Sequence, residues 1–132
     1  VIVVDSNVVV YLFLPTELTS HAEKLLGVDP EWVAPRLWRS EMRNVLGLYI
    51  RKKAITLEQA YRIQASAEAL LADREFDVPS HDVLRLVSQS PCSAYDCEFV
   101  ALARRLGTKL VTADQKILKA FADTAVSLTV AA

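Results

Sequence analysis

The sequence predicts an α/β domain built on an open, mostly parallel sheet of about five strands with helices on both faces. Short apolar runs alternate along the chain with longer segments of helical character, and this alternation is typical of a parallel sheet covered on both sides. The opening run, VIVV, is β-branched throughout and stops at a polar turn, as a fully buried strand does. The chain has 132 residues, the length of one ordinary domain, so we expect residues 1–132 to form a single domain.

The first two strands and the helix between them follow from local patterns. The first strand ends at Asp5, and the chain then stays apolar over Val8–Leu14. Thr19 introduces a short helix that we expect Gly27 to close, because glycine is favoured just after a helix. The second strand is expected over Glu31–Pro35.

Two helices are predicted after the second strand. Apolar and basic residues are mixed over Leu37–Ile50 in a pattern that fits an amphipathic helix. Residues Thr56–Gln59 spell TLEQ, a capping box, and open an alanine-rich helix that is expected to run to about Leu71.

The second half of the chain repeats the alternation of strands and helices. A helix capped by Ser80 is expected to end before Pro91, and another is expected to run from about Ser93 to Gly107. The remaining predicted elements are a short strand in EFDVP (75–79), a buried strand in TKLVT (108–112), a short helix in ADQKILKAFA (113–122) and a last strand in AVSLTV (125–130).

Composition excludes several classes of protein. Hydrophobic residues make up 52% of the chain and charged residues 23%, a globular mixture rather than a disordered one. No apolar stretch reaches the roughly 18 to 20 uncharged residues that span a bilayer, and no secretory signal is recognisable, so we expect a cytoplasmic protein without membrane association. The net charge of -1 argues against a uniformly basic nucleic-acid binder.

Cysteine and histidine are too scarce for most metal sites. Cys92 and Cys97 stand five residues apart, which favours two buried, reduced thiols over a metal-binding or redox pair. The chain has only two histidines, so a zinc site rich in imidazole has little to build with. Any bound metal is therefore expected to have oxygen ligands.

Aspartates stand at the ends of two predicted strands. Asp5 directly follows the first strand, and Asp114 follows the fourth strand by one residue. Ligands bind at the carboxyl ends of strands in open α/β sheets, so these carboxylates meet if the two strands are neighbours. Asp96 lies in the first turn of the helix before the fourth strand, and it joins them only if that helix leans over the same crevice.

Each acid also has an ordinary structural explanation. Aspartate is favoured at helix caps and in turns, which accounts for each aspartate taken singly. Glu41 lies in an arginine-rich helix, where an ion pair with Arg39 or Arg43 is the ordinary role of a glutamate.

Three segments, taken in order, resemble a known family. VIVVDSN, RSEMRNVL and SAYDCEFVALARRLGTKLVTADQKIL resemble the PIN-domain ribonucleases, and most closely the VapC-type toxins of type II toxin–antitoxin modules. The resemblance covers nearly the whole chain and implies a PIN-like fold. It also implies one pocket in which four acids hold Mg²⁺ or Mn²⁺ for RNA hydrolysis; they match Asp5, Glu41, Asp96 and Asp114. Asn7 and Thr112 match polar positions that help to orient the acids or the metal-bound water.

Oxygen ligands suit this chemistry. Mg²⁺ prefers oxygen and keeps several waters, so one or two direct carboxylates suffice, and bound ions stabilise both oxygens of an in-line displacement at phosphorus. Arg39 and Arg43 flank Glu41, and we expect them to contact RNA phosphates.

The resemblance implies a metal-dependent endoribonuclease that forms a homodimer and binds a cognate antitoxin. An inactive PIN-like binding or scaffold module is the alternative. A magnesium-dependent phosphatase or receiver domain is disfavoured, because VDSNV lacks the second aspartate that its nucleophile motif uses.

Overall fold

A five-stranded, entirely parallel sheet forms the centre of the computed structural model, which describes all 132 residues. The strands are β1 (Ile2–Val4), β2 (Trp32–Pro35), β3 (Glu75–Phe76), β4 (Leu110–Thr112) and β5 (Ala125–Ser127). Every residue of β2 and β4 is buried, and successive side chains of a strand point to opposite faces. Both faces of the sheet are therefore covered, which confirms the predicted fold class.

Eight helices connect and flank the strands. They are α1 (Ser6–Phe13), α2 (Thr19–Val28), α3 (Trp38–Arg51), α4 (Leu57–Leu70), α5 (Ser80–Ser88), α6 (Ala94–Leu106), α7 (Gln115–Ala120) and α8 (Leu128–Ala131). The helices and the sheet share one hydrophobic core, whose largest fully buried side chains are Trp32, Trp38 and Phe99. No helix is long and apolar enough to cross a membrane.

The strands lie in the order β3-β2-β1-β4-β5, and the direction in which the chain adds strands to the sheet reverses between β1 and β4. The chain builds outward from β1 to β3 on one side, and it then returns to place β4 and β5 on the other. Val3 pairs with Leu110 and Val4 with Val111, and the backbone N–H of Asp5 donates to the carbonyl of Val111 at 2.9 Å. A crevice for ligands is expected at this reversal, and it lies at the carboxyl ends of β1 and β4.

The apolar stretch after the first strand is helical. Val8, Val9 and Val10 are buried in α1, although β-branched residues favour strands and their pattern here carries no helical period. The side chain of Asp5 accepts a hydrogen bond from the Ser6 N–H at 2.8 Å and caps the helix. The cap and the packing of the valines therefore outweigh their intrinsic preference.

Three predicted helix or strand ends are wrong. Helix α2 runs past Gly27, because the Asp29 N–H still donates to Leu25 and ends the helix after Val28. Pro79, not Ser80, precedes α5 as its cap residue. The last strand ends at Ser127, whose hydroxyl accepts from the Thr129 N–H and starts the short helix α8.

Other local predictions are confirmed. Thr56 and Gln59 form a reciprocal capping box at the start of α4. Gly107 ends α6 in the left-handed conformation, with φ of 66°, which glycine adopts without steric cost. Cys92 and Cys97 are buried free thiols.

Candidate active site

All four candidate acids line one pocket. The pocket has a volume of about 820 Å³ and is walled by residues that include Asp5, Glu41, Asp96 and Asp114. Its floor lies where β1 and β4 end side by side. The lean of α6 that the sequence leaves undecided therefore occurs, and it brings Asp96 to the same crevice as Asp5 and Asp114.

Each acid stands at the N-terminus of a different helix. Asp5 caps α1 and Asp114 caps α7, while Glu41 and Asp96 lie in the first turns of α3 and α6. Helix N-termini carry partial positive charge and unpaired N–H groups. Four helix starts thus converge on the pocket and offset part of the repulsion between the carboxylates.

Asp5 is held rigidly by its neighbours. One carboxylate oxygen, Oδ1, accepts from the Ser6 N–H, and Oδ2 accepts from the Thr112 hydroxyl at 2.7 Å and from the Asn7 amide at 3.4 Å. The Thr112 hydroxyl also accepts from the backbone N–H of Asp114 at 3.0 Å. Asn7 and Thr112 therefore orient Asp5, and Thr112 connects the loops that carry two of the acids.

The pocket is electrostatically unfavourable for its own carboxylates. Burial raises the pKa of Asp5 to about 6, and the charges of Glu41 and Asp96 contribute in the same direction. Burial also raises the pKa of Glu41, helped by repulsion from Asp96. The pKa of Asp96 is raised by burial and by the charge of Asp114. A bound cation would remove this repulsion.

Glu41 makes no ion pair with an arginine. Its Oε1 instead accepts a hydrogen bond of 2.6 Å from the hydroxyl of Ser6, so the ion-pair explanation of this residue is wrong. Ser6 is itself buried. The sequence pattern does not single out Ser6, although this residue lies between Asp5 and Asn7 in the DSN segment.

Asp114 combines a capping role with a place in the pocket. Its Oδ1 accepts from the N–H groups of Lys116 at 2.8 Å and Ile117 at 3.4 Å. Its Oδ2 accepts no hydrogen bond from the protein, and the residue lines the pocket. The structural and the functional explanations of this aspartate are therefore compatible.

Arg39 and Arg43 do not line the pocket. The guanidinium of Arg39 donates to both oxygens of Glu75 and to Glu68. The side chain of Glu75 is only 7% exposed, and it also accepts from the Trp38 indole at 2.8 Å. Arg43 is exposed and donates to the backbone carbonyl of Arg39. RNA contact by these two arginines stays a prediction.

The donor set of the pocket suits a hard divalent cation. No group of three or more Asp, Glu, His or Cys side chains is arranged to hold one ion by itself. Mg²⁺ keeps several waters and needs only one or two direct carboxylates, so an arrangement of spaced acids remains compatible with it. The residues therefore fit a hydrated Mg²⁺ or Mn²⁺ ion.

A family model described as PIN domain matches residues 2–124. The chain belongs to the PIN domain family. This finding confirms the resemblance noted in the sequence.

Two further comparisons agree with this assignment. The chain is 26% identical over 124 residues to "Ribonuclease VapC3" of Pyrobaculum aerophilum, a match that covers 91% of this chain and 94% of that protein. Its fold is similar to the crystal structure of FitAcB from Neisseria gonorrhoeae, with a TM-score of 0.73, 20% identity and 96% of each chain covered. The first comparison favours a VapC-type member of the family, and the second supports the fold.

Proposed function

We propose that this protein is an endoribonuclease that depends on Mg²⁺ or Mn²⁺ and acts as the toxin of a type II toxin–antitoxin pair. The single observation that carries the proposal is the convergence of four carboxylates, from four helix N-termini, on one pocket at the reversal of strand order. The similarity to a protein named ribonuclease supports the reaction class.

The acids would hold the cation, and other residues would hold the acids. When bound, a divalent ion supplies an activated water and stabilises charge on the phosphate oxygens. Asp5 is fixed for this task by Thr112 and Asn7, and Glu41 is fixed by Ser6. The carboxylates of Asp96 and Asp114 complete the pocket wall. Asp114 accepts its hydrogen bonds through Oδ1, which leaves its Oδ2 available to a cation.

Groups outside the pocket would contribute to RNA binding. Arg43 is exposed and its charge is not neutralised by an acid in the structure, so it would contact a phosphate of the strand beyond the pocket. Arg39 would contribute less, because Glu75 and Glu68 already occupy its guanidinium. We further propose a cytoplasmic homodimer that binds a cognate antitoxin; this rests on the family resemblance.

Cleavage of a labelled single-stranded RNA tests the reaction class. Wild-type protein should cleave it with Mg²⁺ or Mn²⁺, should stop when EDTA is added, and should resume when metal is restored. Asp96→Asn should lose cleavage while remaining folded. Full-rate cleavage in EDTA would contradict metal dependence, and an intact RNA under all metal conditions would favour the inactive binding module.

A further inference from the structure

The wall of the acid pocket contains no positively charged side chain. Fifteen residues line it, and none of them is lysine or arginine. The charge of Lys116 acts on Asp96 and lowers its pKa slightly against the larger effect of burial, but Lys116 does not line the pocket. A negatively charged RNA strand therefore meets only negative side chains and neutral groups here.

This composition limits how the pocket can hold RNA. If the protein acts on RNA as proposed above, a bound cation would account for the attraction of one phosphate. The rest of the affinity within the pocket must come from neutral groups that contact bases and ribose. Aromatic rings serve this purpose, because every base has a face that stacks without requiring charge.

Three tyrosines line the pocket, and they differ in how much of each ring is free. Tyr11 and Tyr49 are half-buried and pack against the core. Tyr95 is 62% exposed, although it lines the same pocket. A tyrosine with this much exposed surface loses little of its own packing when it meets a ligand, so Tyr95 offers the ring most available for stacking.

Tyr95 is also fixed close to the acids. It is the second residue of α6, directly before Asp96, and the Ser93 hydroxyl caps this helix by accepting from the Asp96 N–H at 3.1 Å. The capped helix start holds the backbone of both residues in one position. Tyr95 lines the same pocket as the four acids, so a base that stacks on it would belong to a nucleotide close to the phosphate held at the acids.

We propose that Tyr95 is a substrate-positioning residue that stacks on an unpaired base of the RNA beside the cleaved bond. The base must be unpaired, because a base within a duplex has no free face for the ring. Tyr95 would thus select single-stranded segments or loops and set the position of the strand over the acids.

Three variants separate stacking from other roles. Tyr95→Ala removes the ring, and Tyr95→Phe keeps the ring but removes the hydroxyl. Tyr61→Ala is a matched control, because Tyr61 is 61% exposed on α4 and does not line the pocket. The substrates are a short single-stranded RNA and a duplex of the same sequence, each with Mn²⁺, and the readouts are KM, kcat and RNA affinity by fluorescence anisotropy.

Tyr95→Ala should raise KM for the single strand about tenfold or more, with a smaller effect on kcat, as expected for the loss of one stacked base. Tyr95→Phe and Tyr61→Ala should remain within about twofold of wild type, on the same basis. The duplex should bind weakly, and Tyr95→Ala should not weaken it further. All four proteins should bind Mn²⁺ equally in calorimetry.

The outcomes distinguish this inference from the proposed function. Equal KM and affinity for Tyr95→Ala and Tyr61→Ala would overturn stacking while leaving cleavage intact, and loss of binding to a partner protein alone would assign Tyr95 to a protein contact instead. A loss of RNA affinity in Tyr95→Phe as large as in Tyr95→Ala would assign the effect to the hydroxyl and would also overturn stacking.

RNA binding that depends on Tyr95 without any cleavage would support stacking but refute the proposed function. If wild type neither bound nor cleaved RNA, both would fail.

Discussion

Replacing Asp5 with asparagine should stabilise the metal-free protein at neutral pH. The carboxylate of Asp5 is buried among other acids, and its pKa is raised from 3.8 to about 6. Folding therefore favours the protonated form. The protonated Asp5 contributes its full stabilisation at pH values below the pKa that this carboxyl has in the unfolded chain. That stabilisation is lost as the pH rises through about 6, the pKa in the folded protein.

The size of the effect follows from the shift in pKa. A shift of one unit corresponds to about 1.4 kcal/mol, so ionising Asp5 in the folded protein costs about 3 kcal/mol at a pH well above 6. Asparagine avoids this cost but loses the hydrogen bond that Thr112 donates to Oδ2, which is worth about 1 kcal/mol. The net stabilisation at pH 7.5 is therefore expected to be about 2 kcal/mol.

Urea unfolding in EDTA measures this effect for wild type and Asp5→Asn at pH 4.5 and pH 7.5. The difference in free energy of unfolding between the two proteins should shift by about 2 kcal/mol in favour of the variant across this interval. The lost hydrogen bond is common to both pH values, so it cancels from the shift. Asp77→Asn is the control, because the Asp77 side chain is 93% exposed.

A difference between wild type and Asp5→Asn that stays constant with pH would refute the reasoning. It would mean that Asp5 ionises normally in the folded protein and that the pocket does not store electrostatic repulsion. An equal shift with pH in the free energy of unfolding of Asp77→Asn and Asp5→Asn would also refute the reasoning.

Three further predictions address the groups around the acids. Ser6→Ala should lower kcat about tenfold with little change in the melting temperature, because Glu41 loses the hydroxyl that orients it; an unchanged kcat would remove this role. Glu75→Gln should lower the free energy of unfolding by about 1 to 2 kcal/mol, because the charged partner of the partly exposed Arg39 becomes neutral; urea unfolding within experimental error of wild type would contradict it. Arg43→Ala should weaken RNA binding and reduce its salt dependence without changing metal affinity; identical salt curves in anisotropy would exclude the phosphate contact.

The sheet and two of the acids could be predicted from the sequence because their signals are local. Buried parallel strands appear as continuous apolar runs, and Asp5 and Asp114 directly follow such runs. The two carboxylates lie close together because β1 and β4 are neighbours in the sheet. The cap at Gly107 and the capping box at Thr56 were equally local and were also predicted.

The rest of the site depends on tertiary arrangement. Asp96 reaches the pocket because α6 leans over the reversal of strand order, and no periodicity in the sequence encodes that lean. Only the family resemblance indicates Glu41, because its arginine neighbours favour an ion pair that the structure does not form. The same limit applies to Ser6, whose contact with Glu41 appears only in the structure, and to Tyr95, whose exposed ring lies in the pocket wall.

The sequence does not predict helix α1, for a related reason. Its valines favour a strand by intrinsic preference. Because consecutive residues of the helix are all buried, apolar residues do not recur with the spacing of a helix that has one exposed face. The side chain of Asp5 accepts from the Ser6 N–H and caps this helix, and the same residue lines the pocket.

Calorimetric titration of Mn²⁺ tests most directly whether the acid pocket is a cation site. Wild type and Asp77→Asn should bind the ion with equal affinity, and their melting temperatures should rise with metal concentration by mass action. Asp96→Asn should melt at or above wild type in EDTA, because repulsion is relieved, and it should bind Mn²⁺ at least about tenfold more weakly. Superimposable titrations and melting curves for wild type and Asp96→Asn would contradict the assignment of this pocket as the metal site.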